Sequence, residues 1–345
     1  MNYDLVVLGD TPAAHAAALA AGRLHRRVAL VKPLFGSTSD LNVSATKLQR
    51  LRDAIRVCTR PVPAATDRGR PRLGMTDLFH EAAEVEACEY AVLQTRLERF
   101  DVDQFSGEVR FLDSSHLEIG TSSDRQCLTA DFSIIATGTQ AVAPPRMTID
   151  GDRLLIADDL RRLKQPPRSL AIVGASETGL EAAYLFSLLG TRVTLIERQK
   201  QLGGGSEIGT SAIVRQLQRL GVRFMPDAEV IAAELAPNNT AQVELVSGER
   251  LSAERVLFAT ERRGRTDGLG LEESGVQIDE RGRLWCDDQQ RTWRTNILAL
   301  GDVVGHPRMP AQTVDAPRRA VWQILNHEVR TNTTSRMPVA VSSAG

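Results

Sequence analysis

The chain has 345 residues, of which 42% are hydrophobic and 25% are charged, and its formal net charge is -1. This length predicts two domains or three, and the near-neutral charge argues against a broad basic face for nucleic acid. No segment approaches the roughly 20 apolar residues that span a bilayer. The start MNYDLVVLGD predicts a first β-strand and not a signal peptide, so we expect a cytoplasmic protein with no nucleic-acid or membrane partner.

The first predicted elements are an apolar strand at 4–9, an Ala-rich helix, and a second apolar strand at 27–31. Continuous apolar runs of this kind are typical of parallel strands covered on both faces. A glycine turn between such a strand and its helix lets backbone N–H groups approach a pyrophosphate. The segment therefore predicts a βαβ unit that carries a dinucleotide-binding loop.

This first loop departs from the usual glycine pattern. Only Gly9 is kept, and Thr11 and Ala14 stand at the later positions of the loop. Asp10 brings a negative charge near the expected pyrophosphate, which is unfavourable unless the side chain points away. Lys32 stands where a carboxylate for the ribose is expected. The loop by itself is a weak indication of a bound dinucleotide.

Residues 60–138 are assigned from turn-forming residues and from the spacing of apolar and polar residues. In order it comprises an exposed loop at 60–74, a long helix at 76–100, three short strands of a small sheet at 109–111, 117–119 and 127–128, and a buried strand at 132–135 that ends at Thr137 and Gly138.

A second βαβ unit begins about 165 positions after the first, and this internal similarity is the main clue. Its loop, from Gly174 through Ser176 to Gly179, reads GxSxxG, in which the serine hydroxyl can donate to a phosphate. Glu197 ends the second strand, where it can accept hydrogen bonds from a ribose diol, and Arg198 next to it would tolerate a 2′-phosphate. The other interpretation is an empty Rossmann-like domain kept for packing.

The remaining predicted elements are strands and one helix. The strands lie at 222–225, 230–234, 242–246, 256–259 and 297–300, the last helix lies at 311–326, and a polar tail follows from 331.

The order of these motifs resembles the pyridine nucleotide–disulfide oxidoreductases. Segments 192–202 and 256–276 resemble most the soluble, flavin-containing NAD(P) transhydrogenases of that family. The resemblance implies an α/β fold of two Rossmann-like domains, the second inserted in the first. An FAD-binding-like domain would comprise 1–150 and 284–330, an NAD(P)-binding domain 151–283, and 331–345 would form a disordered tail.

The resemblance also implies roles for single residues. FAD would be the cofactor, with Asp302 on its ribityl chain and Thr137 and Gly138 in the turn that closes over it. Lys47 would lie beside flavin N5, and Glu181 would be its ion-pair partner; the alternative is a surface lysine and an ordinary glutamate on a helix face.

For the second domain the resemblance implies NAD(H) or NADP(H) as the substrate. The residues that would bind it are Gly174, Ser176, Gly179, Glu197, Arg198 and Thr260.

Several parts of the family are expected to be missing. Ser39 or Asp40 stands near the first redox cysteine, so no dithiol relay is expected, and Glu261 replaces a glycine. The spacing of the four cysteines indicates neither a metal site nor a disulfide framework. The family's C-terminal interface domain is absent after Asp302 and one helix, so any oligomer or protein partner would use another surface.

Three functions stay open on the sequence alone. The first is an FAD-dependent NAD(P)H oxidoreductase that transfers hydride from nicotinamide to flavin N5. The second is a non-catalytic nucleotide-binding or regulatory protein with a degenerate flavin site, and the third is a nicotinamide-only reductase.

Overall fold

A computed structural model of the chain describes residues 1–35, 48, 50–51, 75–121, 124–145, 147–200, 207–236, 240–260, 262–306 and 315–325. Lys47, the predicted loop at 60–74 and the predicted tail at 331–345 lie outside these residues, as do the positions of the missing redox cysteines and Glu261.

Strands make up most of the regular structure. In chain order they are β1 Asn2–Leu8, β2 Val28–Pro33, β3 Val102–Phe111, β4 His116–Thr121, β5 Asp124–Ile135, β6 Thr139–Ala141, β7 Leu154–Ile156, β8 Ser169–Val173, β9 Arg192–Ile196, β10 Arg223–Met225, β11 Val230–Leu235, β12 Ala241–Leu245, β13 Arg250–Ala253, β14 Arg255–Phe258, β15 Arg262–Gly264, β16 Leu284–Trp285, β17 Ile297–Ala299 and β18 Val304–His306.

Within the described residues, six α-helices and two 3₁₀ helices accompany the strands. The α-helices are α1 Pro12–Gly22, α2 Met75–Arg99, α3 Glu177–Leu188, α4 Glu207–Arg219, α5 Leu271–Ser274 and α6 Asp315–Leu325; the 3₁₀ helices are Ala157–Arg162 and Gly301–Val303.

The chain divides into two compact units. Unit 1 comprises Met1–Thr38, Glu89–Gln140 and Arg263–Gly345, and unit 2 comprises Ser39–Cys88 and Ala141–Arg262. This division differs from the predicted ligand-binding domains, because Leu48, Leu51, Met75 and Leu78 pack into the core of unit 2. The boundaries at 150 and 283, which rest on the expected ligands, stay a prediction.

Unit 1 is built on a parallel sheet with the strand order β3-β2-β1-β5-β17. Strands β3 and β5 extend beyond this sheet and pair with β4 in an antiparallel meander. The prediction of a separate small sheet was therefore wrong, because 109–111 and 127–128 are parts of the long strands β3 and β5. Short segments of one strand look separate in sequence when polar residues interrupt the apolar pattern.

Unit 2 repeats the parallel arrangement with the order β10-β9-β8-β14-β7. Strands β11, β12 and β13 form an antiparallel sheet beside it. The two parallel sheets with their helices confirm the predicted α/β fold with two Rossmann-like units, and residues 141–262 are inserted in the chain between segments of unit 1.

Both faces of each parallel sheet are covered, which explains the continuous apolar strands. In β1, Leu5 and Val7 pack with the alanines of α1, whereas Val6 and Leu8 pack in a different cluster with Phe111. In β8 the neighbours of Ile172 are α3 side chains, and Ala171 packs towards the antiparallel sheet. This packing fixes the carboxyl ends of the strands, and with them the loops that follow.

Candidate functional site

In each unit the first strand of the βαβ segment pairs with a strand on either side. The chain continues to β2 or β9 on one side, and β5 or β14 lies on the other, so the strand order changes direction at β1 and at β8. Such a change of direction opens a crevice at the carboxyl ends of the strands, where α/β proteins bind ligands. The candidate site residues of both units follow these strands.

The loop of unit 1 is held close to the neighbouring strand. Gly9 adopts a φ of +140°, and a Cβ placed on it would collide with the carbonyl oxygen of Ala136. The hydroxyl of Thr11 donates to the same Ala136 oxygen at 2.7 Å and accepts from the N–H of Ala14 at 3.2 Å. Thr11 therefore caps α1 and joins its N-terminus to β5.

The loop of unit 2 has the same construction. Gly174 has a φ of +101°, and its Cβ would lie 3.0 Å from the Ala259 carbonyl carbon and oxygen and 2.9 Å from Thr260 Cγ2. The hydroxyl of Ser176 donates to the Ala259 oxygen at 2.6 Å and accepts from the N–H of Gly179 at 3.2 Å. The expectation that this hydroxyl donates to a phosphate is not met in this conformation, because its hydrogen is already donated within the protein.

Glu197 lies at the end of β9 and reaches back to the loop. Its carboxylate accepts from the N–H of Ala175 at 2.6 Å and from the N–H of Gln199 at 2.9 Å. Each carboxylate oxygen has a second lone pair, so a ribose diol could still be accepted. Arg198 next to it is exposed.

Unit 1 has an ion cluster at the corresponding place. One oxygen of the Asp10 carboxylate is 2.8 Å from His15 Nε2, and the other is 3.1 Å from Lys32 Nζ. The hydrogen bond to His15, with a smaller effect of Lys32, lowers the pKa of Asp10 to about 2 although burial opposes ionisation. The carboxylate therefore stays ionised at neutral pH and turns towards these two side chains.

The carboxyl ends of β5 and β17 are neighbours, and they place three predicted site residues at one edge of unit 1. Thr137 is 4% exposed, and its hydroxyl has no hydrogen-bond partner among the described residues. Gly138 follows with a φ of +73°, and Asp302 lies exposed in the 3₁₀ helix after β17. A buried hydroxyl without a partner costs free energy, so this one indicates a place for a ligand group.

Glu181 lies on α3 and is only 8% exposed, and the residue has an interaction partner. Lys47, its predicted partner, lies outside the described residues. The next residue, Leu48, packs in the same cluster as Leu180 and Ala182. The predicted pair of Lys47 and Glu181 stays a prediction.

The described part of the chain holds no group of three or more His, Cys, Asp or Glu side chains that could bind a metal. None of the helices in this part is long and apolar enough to cross a membrane. The described cysteines, Cys88, Cys127 and Cys286, are free.

Comparison with known protein families identifies the chain. The pyridine nucleotide-disulphide oxidoreductase family matches residues 3–323. The chain belongs to this family. The resemblance seen in the sequence motifs is confirmed.

Among the family's curated members, soluble pyridine nucleotide transhydrogenases are similar to the chain. The protein from Mycobacterium tuberculosis is 32% identical over 351 residues, covering 99% of the chain and 74% of its own length. The one from Pseudomonas aeruginosa is 31% identical over 336 residues, covering 95% and 72%. The chain thus spans about three quarters of the length of these relatives.

Solved structures show the same fold at lower identity. The HOCl-induced flavoprotein disulfide reductase RclA from Escherichia coli gives a TM-score of 0.76 at 22% identity, covering 95% of the chain and 72% of its own. LpdA from Mycobacterium tuberculosis gives a TM-score of 0.77 at 23% identity, covering 94% and 73%. At this identity the likeness concerns the family's fold.

Sequence reasoning missed the cluster of Asp10, His15 and Lys32. It treated Asp10 and Lys32 as two separate defects of the loop, and His15 as a surface or packing residue. A signal was present, because opposite charges at the loop and at the end of β2 suggest a pair. The unpaired hydroxyl of Thr137 had no signal in the sequence.

The double role of Ser176 gives a stability prediction. Ser176→Ala leaves the Gly179 N–H and the Ala259 oxygen without their partner, and we expect a loss of about 1–2 kcal/mol in urea unfolding. Ser176→Thr keeps the hydroxyl, as Thr11 does in unit 1, and should unfold close to the unaltered protein. Equal midpoints for the alanine variant and the unaltered protein would contradict this assignment.

Proposed function

We propose that the protein is an FAD-dependent NAD(P)H oxidoreductase resembling the soluble pyridine nucleotide transhydrogenases. Family membership and the relatives' names support this proposal. The observation that carries it is the repeated loop: Gly9 with Thr11, and Gly174 with Ser176, shape two crevices in the same way. A flavin enzyme that uses NAD(P)H needs two dinucleotide sites, whereas a nicotinamide-only reductase needs one.

The residues of unit 1 fit a flavin dinucleotide. The unpaired hydroxyl of Thr137 and the backbone at Gly9 and Gly138 lie at one edge, where a ligand can approach closely. Ala14 allows the backbone at the start of α1 to contribute N–H groups, and Asp302 offers an exposed carboxylate for ribityl hydroxyls. Bound flavin supplies the chemistry of hydride acceptance, and this chain holds and orients it.

Unit 2 offers the features needed for NAD(H) or NADP(H). The N–H groups after Gly174 lie at the N-terminus of α3, where a pyrophosphate is favoured, and Gly179 lets the helix pack against the loop. Ser176 shapes this loop through its bond to Ala259. Glu197 would accept the ribose diol, Arg198 would tolerate a 2′-phosphate, and Thr260 borders the crevice beside Gly174.

We assign Lys47 and Glu181 to the reacting end of the flavin. The ammonium of Lys47 would supply a positive charge near flavin N5, which would favour the arrival of negative charge there. The buried carboxylate of Glu181 would hold that ammonium in place. Burial supports this role, because a carboxylate with 8% exposure needs a partner.

The alternative is a non-catalytic nucleotide-binding or regulatory protein with a degenerate flavin site. The ion cluster of Asp10 in the first loop favours it. For either function we propose small-molecule nucleotides as partners, a cytoplasmic location and no nucleic acid.

Glu197→Ala should separate the two nicotinamide cofactors. Loss of the ribose acceptor should weaken NADH binding by about tenfold, and NADPH binding less, because a phosphate replaces one hydroxyl. The dissociation constants can be measured by titration calorimetry. Equal losses for both nucleotides would argue against ribose recognition by Glu197.

Lys47→Ala tests the reacting end. Anaerobic stopped-flow spectroscopy should show flavin reduction by NADH slowed by at least about tenfold, while the NADH dissociation constant stays close to that of the unaltered protein. Lys47→Arg keeps the charge and should recover part of the rate. An unchanged reduction rate in the alanine variant would remove Lys47 from the mechanism.

A further inference from the structure

We propose that Asp10, carried on the first loop, is the carboxylate that recognises the adenosine ribose of the dinucleotide in unit 1. Lys32 and His15 then act as positioning residues that hold this carboxylate. The proposal rests on the proposed function, since it concerns the site assigned to FAD. It changes Asp10 from a defect of the loop into a recognition residue.

The internal repeat shows which positions correspond. Lys32 lies 23 positions after Gly9, and Glu197 lies 23 positions after Gly174. Asp10 is the residue after the first glycine in unit 1, as Ala175 is in unit 2. The N–H of Gly9 donates to Val31 at 2.8 Å, and the N–H of Gly174 donates to Ile196 at the same distance, so the two strand ends are held alike.

In both units a carboxylate lies between the loop and the end of the second strand. The residue that carries it is on the strand in unit 2 and on the loop in unit 1. In unit 2 the carboxylate belongs to the strand end, and Glu197 reaches the loop N–H of Ala175 at 2.6 Å. In unit 1 the carboxylate belongs to the loop, and Asp10 reaches the strand-end ammonium of Lys32 at 3.1 Å. With Asp10 on the loop in place of a strand-end carboxylate, unit 1 keeps a negative group at the place where dinucleotide-binding folds bind a ribose diol.

The Asp10 carboxylate is able to accept a diol. Each of its oxygens accepts one bond from His15 or Lys32, which leaves further lone pairs on both. Its side chain is 34% exposed, so a ligand can reach it. The ammonium of Lys32 also offsets its charge, which reduces the repulsion that a bare carboxylate would exert on a pyrophosphate.

The carboxylate borders a small cavity. Its volume is about 40 Å³, and its lining includes Lys32, Leu97 and Phe105. A cavity of this size holds a few water molecules and not an adenosine. Recognition at this place therefore concerns the ribose hydroxyls and not an enclosed base.

The test compares FAD with an FAD analogue that lacks the adenosine 2′-hydroxyl. Both are titrated into the chain after its flavin has been removed, and binding is followed by flavin fluorescence. We expect the unaltered protein to bind FAD about tenfold more tightly than the analogue, as for one hydrogen bond to a charged acceptor. In Asp10→Ala, FAD should bind more weakly and the preference should fall to near one.

Asp113→Ala is the matched control, because Asp113 forms a similar ion pair with His116 at 2.8 Å in the turn between β3 and β4. It should leave both dissociation constants unchanged. Tighter FAD binding by Asp10→Ala, or a preference that survives in that variant, would overturn the assignment.

The unaltered protein provides a test that needs no variant. FAD binding without preference over the analogue would overturn the role of Asp10 but leave the proposed function intact. Failure to bind FAD at all would overturn the proposed function, and with it this assignment.

Discussion

The close approach of two neighbouring strands at their carboxyl ends is the constraint on which both candidate sites depend. A side chain at Gly9 would collide with Ala136, and one at Gly174 would lie only 3.0 Å from the Ala259 carbonyl group and 2.9 Å from Thr260 Cγ2. The hydroxyls of Thr11 and Ser176 then join each helix start to the same carbonyl groups. Each hydroxyl also accepts one N–H of its helix start, from Ala14 or Gly179, so a pyrophosphate would meet the other N–H groups of the first turn. The architecture of the two nucleotide sites thus follows from backbone geometry more than from charged side chains.

The two loops differ mainly in where their charges are carried. Glu197 is a strand-end carboxylate that contacts the loop backbone, whereas Asp10 is a loop carboxylate that contacts the strand-end Lys32. A carboxylate between the loop and the strand end can be carried by either element, so the same local geometry tolerates both. Such an exchange gives the two units different loops on one scaffold, as expected if they bind different dinucleotides.

Much of the fold could be predicted because both parallel sheets are buried on two faces and read as apolar runs. The strand, loop and helix around Gly174 follow directly from that pattern and from the glycine spacing. The long strand β5 was missed because its two ends have different patterns. Apolar and polar residues alternate at the end that pairs with β4, whereas the other end is a continuous apolar run. The role of Ser176 could not be predicted, because it depends on a hydrogen bond to Ala259, 83 positions away. The role of Thr137 could not be predicted either, because it depends on the lack of a hydrogen-bond partner for its hydroxyl.

The central claim is that unit 1 holds one flavin that NAD(P)H bound to unit 2 can reduce. Its most direct test is the flavin content of the purified or reconstituted chain, followed by anaerobic addition of NADH. The account predicts one FAD for each chain and loss of the visible flavin absorbance on reduction. A colourless chain that takes up no FAD, or bound FAD whose absorbance NADH and NADPH leave unchanged, would contradict it.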